Sequence, residues 1–304
     1  MALLWIDGFE GYGTNIGFAP QPSGVLARKY SHVVFEIATD IEVGRFGGLC
    51  LELAGNSELG TPALTVNDTL IVGFAFKVDN LATVTLMGLW DGTDQNINLR
   101  YVSSTNRLEL RRASSILETI DIGLLHDSWY WCEIKVKTNN STGTYDVEVG
   151  GVNIFSASGV DTQTGSNAYS SSVRMEGGGK TRWDDLYICD STGSVNNDFL
   201  GNTKVVSISP DGDSTANFGT STPSANHYEN VDENPSDDDT SYVEDGTVNT
   251  VDLYDHEALS GVGSIFGLQI NALCRETDAS AFSLIIPIES NGSQYDDSPV
   301  NIGT

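Results

Sequence analysis

Asp146 and Glu148 stand two residues apart, the spacing that puts two carboxylates on one face of an extended strand. Two acids flanking a sugar at about 5 to 9.5 Å can cleave a glycosidic bond. Only two acids stand here, and Val147 and Val149 claim the inward side of the same strand. A solvated face is the expectation. His126-Asp127-Ser128 gathers the residue types of a hydrolytic triad, yet sequence neighbours point apart and cannot hand one proton along. A turn is expected there. His32, His227 and His256 are isolated, and no Gly-x-Ser-x-Gly elbow occurs. No catalytic residue is assigned, and the chain is not read as an enzyme.

Acidic loops at Asp211-Gly212-Asp213 and Asp237-Asp238-Asp239 carry the hard oxygens that calcium prefers. Neither follows the twelve-residue EF-hand pattern, so hydrated acidic loops are expected, with calcium the one cofactor they could take. Gly11-Tyr12-Gly13 and Gly261-Val262-Gly263 lack the third glycine and the following helix of a dinucleotide loop, and read as turns or bulges. Aromatic rings can stack on sugar faces. Trp90, directly before the turn Asp91-Gly92-Thr93-Asp94, is the candidate for such a contact, while Trp5, Trp131 and Trp183 are assigned to the core.

The elements that must position these residues are strands. Val72, Phe74, Phe76 and Val78 share one side of a segment whose other side holds Gly73, Ala75 and Lys77, as in a strand packed on one face. The same alternation recurs at Ile97-Leu99-Tyr101, Leu108-Leu110, Cys132-Ile134-Val136 and Tyr145-Val147-Val149. Turn clusters separate these runs and leave no room for crossover helices, so an antiparallel β-sandwich with little helix is expected. Beyond Asp190 the character changes. Residues 191–198 are turn chemistry, and 207–249 are rich in Asp, Ser, Asn and Pro. Two domains follow, 1–190 and 191–304, the second acidic and loop-rich. Within it, Ile265–Ile270 and Phe282–Ile288 read as two paired strands that need a further partner surface.

The chain has 304 residues and a formal charge of −27, which repels nucleic-acid phosphates and anionic lipid headgroups. Neither is expected as a partner. No stretch approaches the roughly 20 apolar residues of a membrane span, and the opening MALLWIDGFEG lacks the basic and apolar regions of a signal peptide. Synthesis and folding in a cytoplasm are expected. Cys50, Cys132, Cys189 and Cys274 lie too far apart for a zinc knuckle or redox pair and are expected to be reduced, buried or half-buried thiols.

Three segments together give a resemblance: Asp7-Gly-Phe-Glu10 on an opening strand, Trp129-Tyr-Trp-Cys-Glu-Ile-Lys-Val136 in the middle, and Trp183-Asp-Asp-Leu-Tyr-Ile-Cys-Asp190 at the close. Residues 1–190 resemble the laminin-G-like and concanavalin-like jelly-roll superfamily. A narrower pattern runs through Asp184-Asp185, Asn197-Asp198-Phe199-Leu200-Gly201, Ser209-Pro210-Asp211-Gly212-Asp213, Tyr228–Asp232 and Asp237–Val243. It is similar to structural proteins of tailed bacteriophages. That resemblance implies a virion protein, in a tail fibre or capsid decoration, assembling with other virion proteins and as a homo-oligomer. The alternative it leaves open is a lectin-like module holding host-surface glycan, and a polysaccharide-degrading enzyme stands third. Relatives with this pattern continue past the point corresponding to Thr304, which leaves the completeness of the second domain open.

Overall fold

The computed structural model describes residues 2–12, 25–34, 40–78, 83–237, 239–259, 263–275, 282–290, 292–295 and 300–302. Two compact units divide the chain, Met1–Ser209 and Pro210–Thr304. Among the described residues the first unit contributes fifteen strands: β1 (Leu3–Asp7), β2 (His32–Val34), β3 (Asp40–Val43), β4 (Leu49–Ala54), β5 (Glu58–Gly60), β6 (Thr69–Val78), β7 (Val84–Asp91), β8 (Asp94–Val102), β9 (Arg107–Arg112), β10 (Ser115–Asp121), β11 (Tyr130–Lys137), β12 (Gly143–Val149), β13 (Val152–Val160), β14 (Ser172–Glu176) and β15 (Lys180–Asp190). They form two antiparallel sheets. Sheet A runs β13-β12-β11-β6-β15-β4-β3, with β1 beside β15, and sheet B runs β10-β9-β8-β7-β14-β5-β2. Helix among the described residues of this unit amounts to one five-residue turn, Val25–Lys29, and a 3-10 turn at Glu10–Tyr12. This is an all-β antiparallel jelly-roll sandwich.

Period-two alternation places the core. Val72, Phe74, Phe76 and Val78 from sheet A meet Leu89, Ile97, Leu99, Tyr101, Leu108 and Leu110 from sheet B, all fully buried. Trp183 fixes the two sheets to one another, because its Nε1 donates to the Leu86 carbonyl on the facing sheet at 2.8 Å. Trp183→Phe keeps most of the buried ring and removes that donor. A loss of about 1 to 3 kcal/mol in urea unfolding is expected, the cost of leaving a buried carbonyl short of a partner.

The alternation does not reveal that β6 is covered on both sides. Ile71 and Ala75, on its outer face, are buried in a second apolar cluster with Trp131, Tyr187 and Cys189, closed over by Phe199 and Leu200. The segment that covers them lies beyond the expected boundary at 190/191. Its turn chemistry reads as a linker, yet backbone donors tie it to sheet A: Leu200 N to the Tyr187 hydroxyl at 3.1 Å, Gly201 N to Glu133 Oε1 at 2.8 Å and Val205 N to Asp185 Oδ1 at 2.7 Å. Residues 191–209 therefore belong to the sandwich. Trp131, assigned to the core, lies in this outer cluster, while Trp183 is central and Trp5 packs half-buried against the main core.

The second unit is built from small two-stranded pieces: β16 (Pro210–Thr215) with β19 (Leu253–His256), β17 (Thr220–Thr222) with β18 (Tyr242–Glu244), β20 (Phe282–Leu284) with β23 (Val300–Ile302), and β21 (Ile288–Ser290) with β22 (Ser293–Tyr295). Its buried centre is polar. Asn230, 2 % exposed, donates through Nδ2 to Ser221 Oγ and to the Ser224 and Asn226 carbonyls. Asp252 accepts from Asn217 N, Phe218 N and the Tyr254 hydroxyl, and lies 2.6 Å from His227 Nδ1. The expected pairing of Ile265–Ile270 with Phe282–Ile288 does not occur. Residues 264–275 form no strand, and Phe282–Leu284 pairs with Val300–Ile302 instead. Cys274 is likewise exposed rather than half-buried, unlike Cys50, Cys132 and Cys189.

Candidate functional site

On the outer face of sheet B, the alternation of β7, β8, β14 and β5 gathers polar, planar side chains. Val173 and Met175 turn into the core, so Arg174 and Glu176 turn out. Arg174 stands opposite Gly60 on one neighbour and Gly88 on the other, and Gly88 stands opposite Asn98. The two glycines make the floor. A Cβ at residue 88 would lie 2.7 Å from Trp90 Nε1, and one at residue 60 would lie 2.8 Å from Arg174 Cγ. Both side chains thus approach the strand backbone at these glycines more closely than a Cβ would allow.

Trp90 is half-buried, and the Arg174 guanidinium stacks on its ring at 4.3 Å while donating to the Gly92 carbonyl at 2.7 Å. Gln95, directly opposite Trp90, donates to Glu176 Oε1 at 3.2 Å, and Asn98 donates to Gln95 Oε1 at 3.0 Å. Glu176 in turn stands opposite Glu58, which His32 Nε2 contacts at 2.7 Å. Burial pushes the Glu176 carboxyl above the usual carboxylate range, with the Glu58 charge adding to the shift, and burial likewise lowers Arg174. The result is an aromatic plate held by a stacked cation. Around it lie amide and carboxyl groups already oriented by one another, which suits recognition of a polyhydroxylated ligand through paired donors and acceptors. Beside it, Arg112, Ala113, Ser115, Asp161, Gln163 and Thr164 line a shallow depression, with Arg112 and Asp161 ion-paired across it.

The other candidates are dispersed. Asp146 and Glu148 lie on the outer face of sheet A, opposite Lys135 and Glu133, and partial burial raises both above their ordinary values. His126 Nε2 lies 3.3 Å from the Tyr101 hydroxyl, while Asp127 donates its own N–H to the Val78 carbonyl at 3.0 Å from a left-handed turn (φ 56°). Asp213 caps the 3-10 turn Tyr228–Asn230 by accepting from His227 N and Tyr228 N at 2.8 and 2.7 Å. Asp211 is exposed, Asp237 accepts from Ser241, and Asp239 pairs with Arg275 at 2.6 Å. Asp238, Gly13 and Gly261 lie outside the described residues. Among the described residues, no group of three or more His, Cys, Asp or Glu side chains is arranged to hold a metal ion.

A second cluster was not singled out from the sequence. A bulge in β15, with Asp185 at φ 53°, brings two successive carboxylates to Arg45. Asp184 Oδ2 accepts from Arg45 N at 2.7 Å, and Asp185 Oδ2 pairs with the guanidinium at 2.8 Å. Burial, with repulsion from Asp185, raises Asp184 to about 7, and burial first, with Asp184 and Asp185 adding, raises Glu10 to about 8. Arg45 also donates to Asn202 Oδ1 and the Thr203 carbonyl. This cluster latches 201–205 onto the sheet. Its cation is already in place.

No family model and no curated protein sequence matches the chain. Among solved structures it is similar to alginate lyase Aly36B, at 10% identity and TM-score 0.44, over 62% of this chain and 97% of that one. It is similar to Domain 4 of AbnA, a GH43 extracellular arabinanase from Geobacillus stearothermophilus, in complex with arabinotriose (17% identity, TM-score 0.43, 62% and 92% covered). It is also similar to the catalytic domain of the glycoside hydrolase family 131 protein from Coprinopsis cinerea (12% identity, TM-score 0.43, 66% and 99% covered). One fold of this kind hosts many functions, so function has to be argued from the site.

Proposed function

We propose that the first unit is a glycan-binding module, and that its ligand lies on the outer face of sheet B against Trp90. The observation that carries this reading is the Trp90–Arg174 stack, set in a row with Gln95, Asn98 and Glu176. Sugar rings present an apolar face to an aromatic plate and hydroxyls to planar amide, guanidinium and carboxyl groups, and all of these are supplied here on rigid strands. The module is proposed to hold its ligand without cleaving it. Trp90→Ala and Arg174→Ala are each expected to weaken binding to host-surface polysaccharide by about tenfold, the equivalent of 1.4 kcal/mol, with the melting temperature nearly unchanged. Calorimetric titration with polysaccharide fractions checks this. Equal affinity in both variants would remove the site from consideration, and release of new reducing ends or unsaturated sugars would replace binding by catalysis.

A second reading is favoured by the second unit. Ile265, Phe266, Leu268, Ile270 and Leu273 are all exposed along one stretch of chain, and exposed apolar side chains that gather together mark protein–protein contacts. This supports a structural part of a tailed-phage virion, assembled through protein–protein contacts. The two readings meet in a tail fibre or capsid decoration that engages host-surface glycan. Tracing the chain in a reconstruction of the intact particle tests it, since absence of the chain from the particle sets the virion role aside.

A further inference from the structure

The Trp90 plate is one end of a longer surface. Asn98 Nδ2 donates both to Gln95 Oε1, beside the plate, and to the Ala113 carbonyl in the β9–β10 turn, each at 3.0 Å. Ala113 lines the depression together with Arg112, Ser115, Asp161, Gln163 and Thr164. The far wall of that depression is tied to β8, because Thr164 Oγ1 donates to the Gln95 carbonyl and Thr164 N to Asn96 Oδ1, both at 2.8 Å. Plate and depression are therefore fixed to one another, from β7 across β8 to the end of β9. With neighbouring strands about 4.8 Å apart, two strand spacings make roughly 10 Å, more than a single sugar ring covers.

The charge on this surface is already matched. Arg111 pairs with Glu109 at 2.6 Å, Arg107 with Asp121 at 3.1 Å, and Arg112 with Asp161. Arg100 stands directly opposite Glu109, and Arg174, stacked on Trp90, lies in the fields of Glu58 and Glu176. An acidic sugar would have to compete with these carboxylates and approach a chain of net charge −27, which repels polyanions at long range. Sugar hydroxyls meet neither obstacle. They need only donors and acceptors, which Gln95, Ser115, Gln163 and Thr164 carry. We propose, resting on the glycan-binding reading above, that the ligand is an uncharged polysaccharide whose chain crosses the strands from Trp90 to the depression between Ala113 and Thr164. Trp90 takes the apolar face of one ring, and the depression holds the hydroxyls of a ring further along the same chain.

Calorimetric titration of the full chain tests this with neutral and acidic pools, separated by anion exchange from one polysaccharide preparation and cut to graded lengths. The neutral pool is expected to bind about tenfold more tightly than the acidic one. Affinity for neutral segments is expected to rise about tenfold once they are long enough to reach the depression. Ser115→Leu, at an exposed position, is expected to remove that gain while leaving the shortest segments and the melting temperature unchanged, whereas Trp90→Ala weakens every length. Equal or tighter binding of the acidic pool, affinity that does not change with length, or a Ser115→Leu loss that is absent or equal at all lengths would each overturn this proposal, while a Trp90→Ala loss still upholds the binding face itself. No binding of either pool, or binding indifferent to Trp90→Ala, removes the binding face and this proposal with it.

Discussion

Arg45→Met is expected to destabilise the sandwich by about 3 to 5 kcal/mol, the cost of leaving a buried carboxylate without its cation. The Arg45 side chain is 8% exposed and that of Asp185 is 2% exposed, so water cannot replace the guanidinium. Methionine keeps much of the aliphatic stem but loses three things at once. The Asp185 pair goes, the donors to Asn202 and the Thr203 carbonyl go, and so does the cation stacked on Phe46 and Trp131 at 4.3 and 5.0 Å. The 201–205 segment then holds mainly through Gly201 and Val205, and Phe199 and Leu200 lose part of their anchorage over Tyr187. Denaturant unfolding followed by tryptophan fluorescence measures the loss. Arg45→Met with Asp185→Asn is expected to recover a large part of it, because asparagine tolerates the left-handed backbone at that position and carries no charge to bury. Failure of the double variant to recover stability would mean that packing of the stem, rather than charge compensation, dominates.

How the sequence encodes this latch explains what could and could not be read from it. Period-two alternation located the inward rows of β6, β8, β9, β11 and β12, since the side that meets the core is a local property of each strand. Arg174 and Glu176 on β14 were not singled out from the sequence. Nothing local says that β14 lies between β5 and β7, so the meeting of Arg174 with Trp90 was not legible. Trp90 itself was singled out by its place before a turn, and the structure puts it on the sheet face with a guanidinium stacked on one side of its ring. The latch was hidden for a related reason. Asp184-Asp185 in a strand reads as one residue in and one out, and only the bulge after Asp184, set by pairing with β6, turns both toward Arg45. Residues 191–209 were misread as a boundary because their Gly, Asn and Ser content is that of a linker, while their anchorage is through backbone N–H groups, which composition does not record. Ile265–Ile270 alternates like a strand, but alternation describes what a segment can pair with and leaves the presence of the partner unstated.

Raising the pH is expected to weaken the first unit between about pH 4 and pH 8. Glu10 and Asp184 hold their protons to about 8 and about 7, well above the ordinary carboxylate values of 4.5 and 3.8. Within that window the folded state binds protons that the unfolded chain has released, so unfolding becomes easier as pH rises. The stabilisation is complete below the ordinary values, is lost as pH climbs through the folded ones, and is level above them. At about 1.4 kcal/mol per pH unit of separation, each of the two groups accounts for something on the order of a few kcal/mol, visible as a falling melting temperature. Glu10→Gln, which keeps the neutral shape of the protonated acid, is expected to flatten the slope most in the upper half of the window. Asp252 in the second unit works in the opposite sense. Burial opposes its ionisation, but His227 and the N–H groups of Phe218 and Asn217 hold its carboxyl below the usual range. Its contribution is present above the ordinary aspartate value and is lost as pH falls below it. Near-UV circular dichroism for the tryptophans, all five of which lie in the first unit, combined with hydrogen exchange for the second, separates the two. A first unit whose melting temperature rises between pH 5 and pH 8 would show that Glu10 and Asp184 are ionised in the folded state, and that Arg45 neutralises more of the cluster than its single pair with Asp185.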